Sequence, residues 1–423
     1  HCVTRRQRQM CIRDSALGGY FMEVAGWERA HGYAANEETL LAKYRNQVPV
    51  REAEWDSRHF WEVSNAEQLA MSEGVGMINL SHFAIFDVEG ADAEGLMEYL
   101  SVAKVGADTA IGKGVYTHFL DHAGGIRSDL TIIRLAEDCF RVVCGGDTGH
   151  RDYIWMRDMS DRKGFANVTF HDRSEELATL GLWGPEARVT LAKLMDDPES
   201  ISNESFPFAT TKEITVCGVK VWAFRISYVG EQGWELYFPF SDGLAIWDAL
   251  FKLRVTPVGI ETYANSRRLE KSLRLQNADL EIDYNLYEAG LARPKVKAAD
   301  FHGKEAYVQQ RELDEQAAYL CTFVLQDTTD SNGVVRYPVG NWPILDPASK
   351  EVIIDAHGRR SYTTSMAFGP SLGVNIAMGY LPTNKAKEGD TVLIEYFGEH
   401  YEAKVMKVGY GAVLDPTNER PKS

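Results

Sequence analysis

The stretch FLDHAGGIRSDLTIIRL, Phe119 to Leu135, reads as the turn and return strand of a hairpin whose first strand runs from Val115 to Leu120. Gly124 and Gly125 supply the freedom a tight connection needs, and branched residues after them favour extended chain. One residue breaks the pattern. Asp129 shares a strand face with Arg127, Thr131 and Ile133, whereas Ile126, Leu130 and Ile132 take the other parity, so a carboxylate sits in a strand that is apolar on both sides. Burying an unpaired carboxylate is costly, so Asp129 either finds an internal hydrogen-bond donor or faces a ligand cavity.

A second carboxylate is placed the same way. In RISYVGEQGWELYFP, Arg225 to Pro239, a strand is expected to end at Tyr228, turn through Val229 to Gly233 and return as Trp234 to Tyr237. Glu235 then lies between Trp234 and Leu236, as a solvated face residue or as a pocket group opposite Tyr228. Two carboxylates and an aromatic at strand ends can line a pocket in which one acid accepts paired N–H donors from a heterocycle and the other handles positive charge.

Around these hairpins, the region from about Gly19 to Glu315 alternates short strands with helices of about three turns, which predicts an α+β body. From residue 316 to 423 strands and turns dominate. Gln326 to Gly340 is rich in turn residues and Thr391 to Val408 resembles a hairpin, so this part reads as a separate β domain. Phe86 to Leu100 and Leu180 to Leu194 echo each other: each passes from a strand through a glycine, Gly90 or Gly184, into a helix ending in Leu. A third helix is expected after a Ser241/Asp242 cap, with Leu244, Trp247, Leu250 and Phe251 on its core face.

Composition narrows the function. A chain of 423 residues exceeds one ordinary core, and a net charge of −16 repels phosphate backbones, which argues against nucleic acid and for a small-molecule partner. No apolar run is long enough to span a bilayer. Cys2, Cys11, Cys139, Cys144, Cys217 and Cys321 show neither CxxC pairing nor Cys/His ligand spacing, so they read as free thiols in a reducing compartment, with no metal site. There is no GxGxxG after a strand and no Walker, HExxH or GxSxG motif, so no flavin or nicotinamide cradle is visible. The opening HCVTRRQRQMCIRDS carries four arginines without apolar periodicity, and residues 1–18 are expected to be a non-native or disordered leader outside the fold.

The motifs GWERAHGY, VGMINLSHF, VYTHFLDHAGGIRSDLTIIRL, LGLWGP, RISYVGEQGWELY, RRLEK, YEAGL, DFHGKEA and TTSMAFGPSLGVNIAMGYL together resemble the aminomethyltransferase family. That family includes the glycine-cleavage T-protein and the C-terminal, tetrahydrofolate-binding part of dimethylglycine and sarcosine dehydrogenases, and GWERAHGY and SDLTIIRL look closer to the dehydrogenase branch. The likeness covers nearly everything from Gly19 onward. It implies a three-domain cloverleaf around a tetrahydrofolate site, with residues 19–315 forming two interleaved α+β units and residues 316–423 a β barrel. It also implies that Asp129 is catalytic and that Tyr116, Tyr228 and Glu235 bind the folate. The implied reaction is one-carbon transfer from a methylated amine or its iminium, giving methylene-tetrahydrofolate, with a flavoprotein dehydrogenase, fused or separate, as the source of the donor. The location expected is cytoplasmic, or the mitochondrial matrix in a eukaryote.

Two departures from the family pattern concern the donor and the grip on the folate tail. Ala264-Asn265 stands where T-proteins carry Arg-Asp, so the usual folate-contacting arginine is missing, and Asn79 stands where many members have Asp, near Ser81 and His82. His82 by itself reads as a packed residue. The alternatives are a folate-dependent O- or S-demethylase and a non-catalytic folate-binding regulatory or assembly protein.

Overall fold

The computed structural model describes residues 12–24, 26–51 and 59–423. The glycine-rich hairpin forms as expected: Gly114–Leu120 pairs antiparallel with Ile126–Ala136, with His118 opposite Asp129 and Tyr116 opposite Thr131. These strands continue through Cys139–Cys144 and Ala84–Glu89 to Thr169–Asp172 in a five-stranded antiparallel sheet. Period-two alternation then separates two environments. Phe119, Leu130 and Ile132 pack with Leu96, Met97 and Leu100 of the helix Ala93–Leu100 and with Met156 and Met159 of the helix Gly149–Lys163. Asp129 and Thr131 point to the other face and are only half-buried.

The whole five-stranded sheet is inserted into another. Between Gly76–Asn79 and Leu177–Trp183, which pair directly, the chain leaves a six-stranded sheet to build the five-stranded one and then returns. Thr211–Val216, Val219–Phe224, Gly233–Pro239 and the short Thr256–Pro257 complete the second sheet, the last pairing parallel to Gly76–Asn79. Its outer face packs Leu180, Leu182, Trp234, Leu236 and Phe238 against Leu191, Ile246, Trp247 and Leu250. The inner faces meet in one apolar cluster, with Ile85, Ile133 and Val143 from one sheet against Ile78, Trp183, Phe224 and Tyr237 from the other.

The repeated strand–glycine–helix units are present. Gly90 and Gly184 have φ of 127° and 134°, and a Cβ would lie 2.2 Å from the Asn167 carbonyl oxygen and 2.3 Å from the Gly74 carbonyl oxygen. Only glycine fits either junction.

Three expectations are corrected. The strand before the second turn ends at Phe224 rather than Tyr228, because Arg225 to Gln232 leave the sheet as a loop. The helix Gly243–Lys252 has no side-chain cap bond from Asp242, since a 3-10 turn over Phe240–Asp242 runs straight into it. Ile246 occupies the core there while Phe251 is 42% exposed and stacks on Trp247, because the helix presents a narrower face than the spacing implied. The third correction concerns the leader. Residues 1–11 lie outside the described residues, but residues 12–16 are helical, and Asp14 is 2% exposed and accepts hydrogen bonds from Tyr33 Oη at 2.9 Å and Asn79 Nδ2 at 3.0 Å. Arg13 also reaches Asp248 at 2.6 Å. These long-range partners cannot be seen in local periodicity.

Beyond the α+β body, Ala318–Leu325, Thr363–Gly369, Val374–Pro382, Thr391–Tyr396 and Glu399–Val408, with the short Ile344–Leu345, form a six-stranded antiparallel sheet. Its edges are joined by the bridge Pro343–Tyr362 and the bond from Ile344 N–H to the Ser361 carbonyl at 3.0 Å, so the sheet curls into a barrel. Buried ion pairs fasten it to the body. Arg268 bonds Asp279 at 2.6 Å and Ser365 at 2.7 Å, and Arg267 bonds Glu270 at 2.6 Å, Ser371 at 3.0 Å and Glu231. Among the described residues no helix is long and apolar enough to cross a membrane.

Candidate functional site

The hairpin register decides which groups meet Asp129. Because directly opposed residues share a face, His118 and Tyr116 project beside Asp129 from the neighbouring strand. Tyr116 is 38% exposed, and burial of its phenol, followed by Asp129 and Tyr228, raises that group well above its usual range, with Arg274 opposing. Its hydroxyl lies 3.2 Å from His118 Nε2. Burial, followed by the nearby Arg293 cation, pushes His118 down to about 3, so its ring is neutral at physiological pH.

Asp129 is pushed up to about 7, first by burial, with Tyr116 opposing and Asp152 adding repulsion. A carboxyl group in that range can hold or release a proton near neutrality.

Glu235 comes from the other sheet. Trp234 and Leu236 point to the outer core, so the intervening Glu235 and then Tyr237 face inward toward the sheet that carries Asp129. It is 7% exposed, so the solvated reading does not hold. Burial raises its carboxyl to about 7, against the donating Tyr237 hydroxyl. That hydroxyl bonds Oε2, and no described residue donates to Oε1.

Tyr228 sits in the loop between the strands, fixed by a 2.5 Å bond from its hydroxyl to the Arg274 carbonyl. Its ring lies 4.9 Å from that of Tyr263, which in turn lies 5.7 Å from Trp183. Tyr263 links the two acids: burial and then Glu235, Tyr228 and Asp129 all raise its phenol far above the usual range. Tyr116, Asp129, Tyr228 and Glu235 thus belong to one connected cluster, which the tertiary structure extends with His118, Tyr237 and Tyr263. Tyr263 adjoins Ala264-Asn265, and only its position next to that anomaly could have drawn notice in the sequence.

The missing arginine has no substitute in RRLEK, since Arg267 and Arg268 are consumed by buried ion pairs. Asn265 instead donates to Glu261 at 2.9 Å. Two other cations stand near Tyr116. The Arg274 guanidinium is pinned by the Ala289, Ser272 and Gly409 carbonyls, whereas among the described residues the Arg293 guanidinium bonds the Tyr116 carbonyl alone. Asn79 is engaged by Asp14 and Ser81. Among the described residues there is no group of three or more His, Cys, Asp or Glu able to hold a metal, and Cys139, Cys144, Cys217 and Cys321 are free thiols.

Residues 10–297 match the model of the GCVT N-terminal domain, and residues 343–408 that of the glycine cleavage T-protein C-terminal barrel domain. The chain is 29% identical over 403 residues to human dimethylglycine dehydrogenase, mitochondrial, covering 94% of this chain and 43% of that protein. It is 28% identical over 408 residues to the aminomethyltransferase of Herpetosiphon aurantiacus, covering 96% and 98% of the two chains. The crystal structure of the glycine cleavage system aminomethyltransferase T from Bartonella henselae superposes with a TM-score of 0.76 at 22% identity, covering 96% of this chain and 97% of that one. The chain therefore spans less than half the length of the dehydrogenases it matches and nearly all of the shorter transferases.

Proposed function

The chain belongs to the glycine-cleavage T-protein family of aminomethyltransferases, and from that premise we propose that it transfers a one-carbon unit to tetrahydrofolate. The donor class is a methylated amine or its iminium, of the dimethylglycine, sarcosine or glycine-cleavage type, and the product is methylene-tetrahydrofolate. The observation that carries this reading is that Asp129 and Glu235 lie on the faces by which the two sheets meet, each raised by burial to about 7 and each acting on the Tyr263 phenol.

The residues present suit a folate. Glu235 Oε1 has no protein donor and can accept an N–H from a pterin edge, while Tyr228 and Tyr263 offer aromatic walls for a flat ring. When bound, tetrahydrofolate supplies the nitrogens that take up the one-carbon unit. Asp129, as a carboxylate, stabilises the positive charge of an iminium donor and then accepts the accompanying proton, a role suited to a group titrating near 7. Tyr116 and neutral His118 orient that carboxyl and keep competing positive charge away from it. Arg293 is the cation we assign to a ligand carboxylate in place of the missing arginine, because it is held by one carbonyl where Arg274 is held by three.

A flavoprotein dehydrogenase, fused to this chain or separate, would generate the iminium; the likeness to human dimethylglycine dehydrogenase fits the first arrangement and the likeness to the Herpetosiphon aurantiacus aminomethyltransferase the second. The protein would then act in the mitochondrial matrix of a eukaryote or in the cytoplasm. Calorimetric titration with tetrahydrofolate, followed by product analysis with dimethylglycine, sarcosine and aminomethyl donors, tests the proposal. Methylene-tetrahydrofolate is expected, whereas methyl-tetrahydrofolate would point to direct demethylation and binding without turnover to a regulatory protein.

A further inference from the structure

A second cleft of about 450 Å³ lies outside the Asp129 cluster, at the turn of the same hairpin, and is lined by Asp121, His122, Arg127, Trp155, Met159, Arg162, Lys163 and His302. On a chain with net charge −16 its lining is cationic. The Arg127 guanidinium lies 3.9 Å from the centre of the Trp155 ring, and the His302 ring meets the same indole edge-on at 5.2 Å. Stacking satisfies the plane of the guanidinium and leaves its donors over: Arg127 Nε and Trp155 Nε1 are both buried without a hydrogen-bond partner. No salt bridge joins Arg127 to any described residue.

Asp152, Asp121 and Asp158 all act on Arg127, but each has other partners: Asp152 accepts from Ser128 Oγ at 2.6 Å and from Arg151 Nε at 3.4 Å. Asp121 is engaged by the backbone N–H groups of Ala123 and Gly125, at 2.9 and 2.8 Å, and the Asp158–Arg162 pair is an exposed surface contact at 3.0 Å. His302 is held below its usual range first by burial and then by Lys163, with Asp121 opposing and His122 and Arg127 reinforcing. The Lys163 ammonium lies over the Tyr99 ring, 4.9 Å from its centre, and its side chain lines the cleft. Buried N–H donors left unpaired beside several cations suit a negatively charged oxygen acceptor.

We propose that this cleft binds a small multivalent oxyanion, a phosphate group or a short run of carboxylates, through Arg127, Trp155 Nε1 and Lys163. The full chain labelled with ¹⁵N-tryptophan gives indole N–H cross-peaks, and the peak lost in Trp155→Phe identifies the reporter. Titration with inorganic phosphate at constant ionic strength is expected to move that peak saturably, while chloride does not. Arg127→Gln, checked for an unchanged circular dichroism spectrum, should weaken the interaction at least tenfold, and the exposed Lys163→Gln several-fold. A parallel titration with triglutamate separates the two sources of the charge, whichever binds more tightly being the class the cleft selects. An indole peak that stays put with both probes, or an equal response in the folded Arg127→Gln and Lys163→Gln variants, overturns the proposal. This outcome is independent of tetrahydrofolate binding.

Discussion

At the scale of single residues, Asp129 and Glu235 differ in what each is asked to do. Asp129→Asn keeps the shape and loses both charge and basicity, so turnover should fall by about 10²–10⁴ while the protein remains folded, measured as rate per folded molecule. Its stability signature has a definite sign. The folded carboxyl, raised from 3.8 to about 7, holds its proton after the unfolded chain has released it. The folded state therefore binds more protons between these values, and stability falls as pH rises through that window. The substitution should remove that slope and raise stability at pH 8 by about 1–2 kcal/mol, a figure reduced for the water that still reaches this half-buried group. Denaturant unfolding at pH 5 and pH 8 measures it, and a variant that is less stable at both would make Asp129 a structural residue. Glu235→Gln presents an amide to a pterin N–H, so tetrahydrofolate affinity should drop by about 1–3 kcal/mol in a calorimetric titration. Unchanged affinity would remove Glu235 from the site.

At the scale of elements, the strand–glycine–helix junctions carry the most specific requirement. Gly184→Ala would set a Cβ 2.3 Å from the Gly74 carbonyl oxygen at a φ of 134°, so the variant should lose about 2 kcal/mol or more, read as a lower melting temperature. Gly218, with φ of 77° and nothing within 4 Å of its Cβ position, makes a control that isolates the backbone contribution. Element type was legible wherever burial is one-sided. Ile126 to Ala136 and Gly233 to Pro239 alternate because one face meets helices and the other meets a facing sheet. The helix Gly243–Lys252 was legible in kind but misread in detail, since a helix face is set by the neighbour it packs on, and Ile246 faces that neighbour where Phe251 does not.

At the scale of the whole molecule, long-range ties decide what belongs to the fold. Deleting residues 1–18 removes the hydrogen bonds that Tyr33 and Asn79 make to the buried Asp14, and should cost about 1–3 kcal/mol. The half-buried Arg13–Asp248 pair, bidentate at 2.7 and 2.6 Å, is lost as well. An unaltered melting temperature would restore the view of this segment as a dispensable leader. The sequence by itself determined the two hairpins, the unusual carboxylates within them, the glycine junctions and the β character of the last hundred residues. Each is a local pattern, written in side-chain parity or in the backbone demands of a turn. Only the tertiary structure decided that Asp129 and Glu235 lie on the meeting faces of two sheets, that both act on Tyr263, that Arg267 and Arg268 are spent on buried carboxylates, and that Asp14 is core. Those facts depend on residues tens to hundreds of positions apart, and the energy of a buried charge is set by what surrounds it in space rather than by its neighbours along the chain.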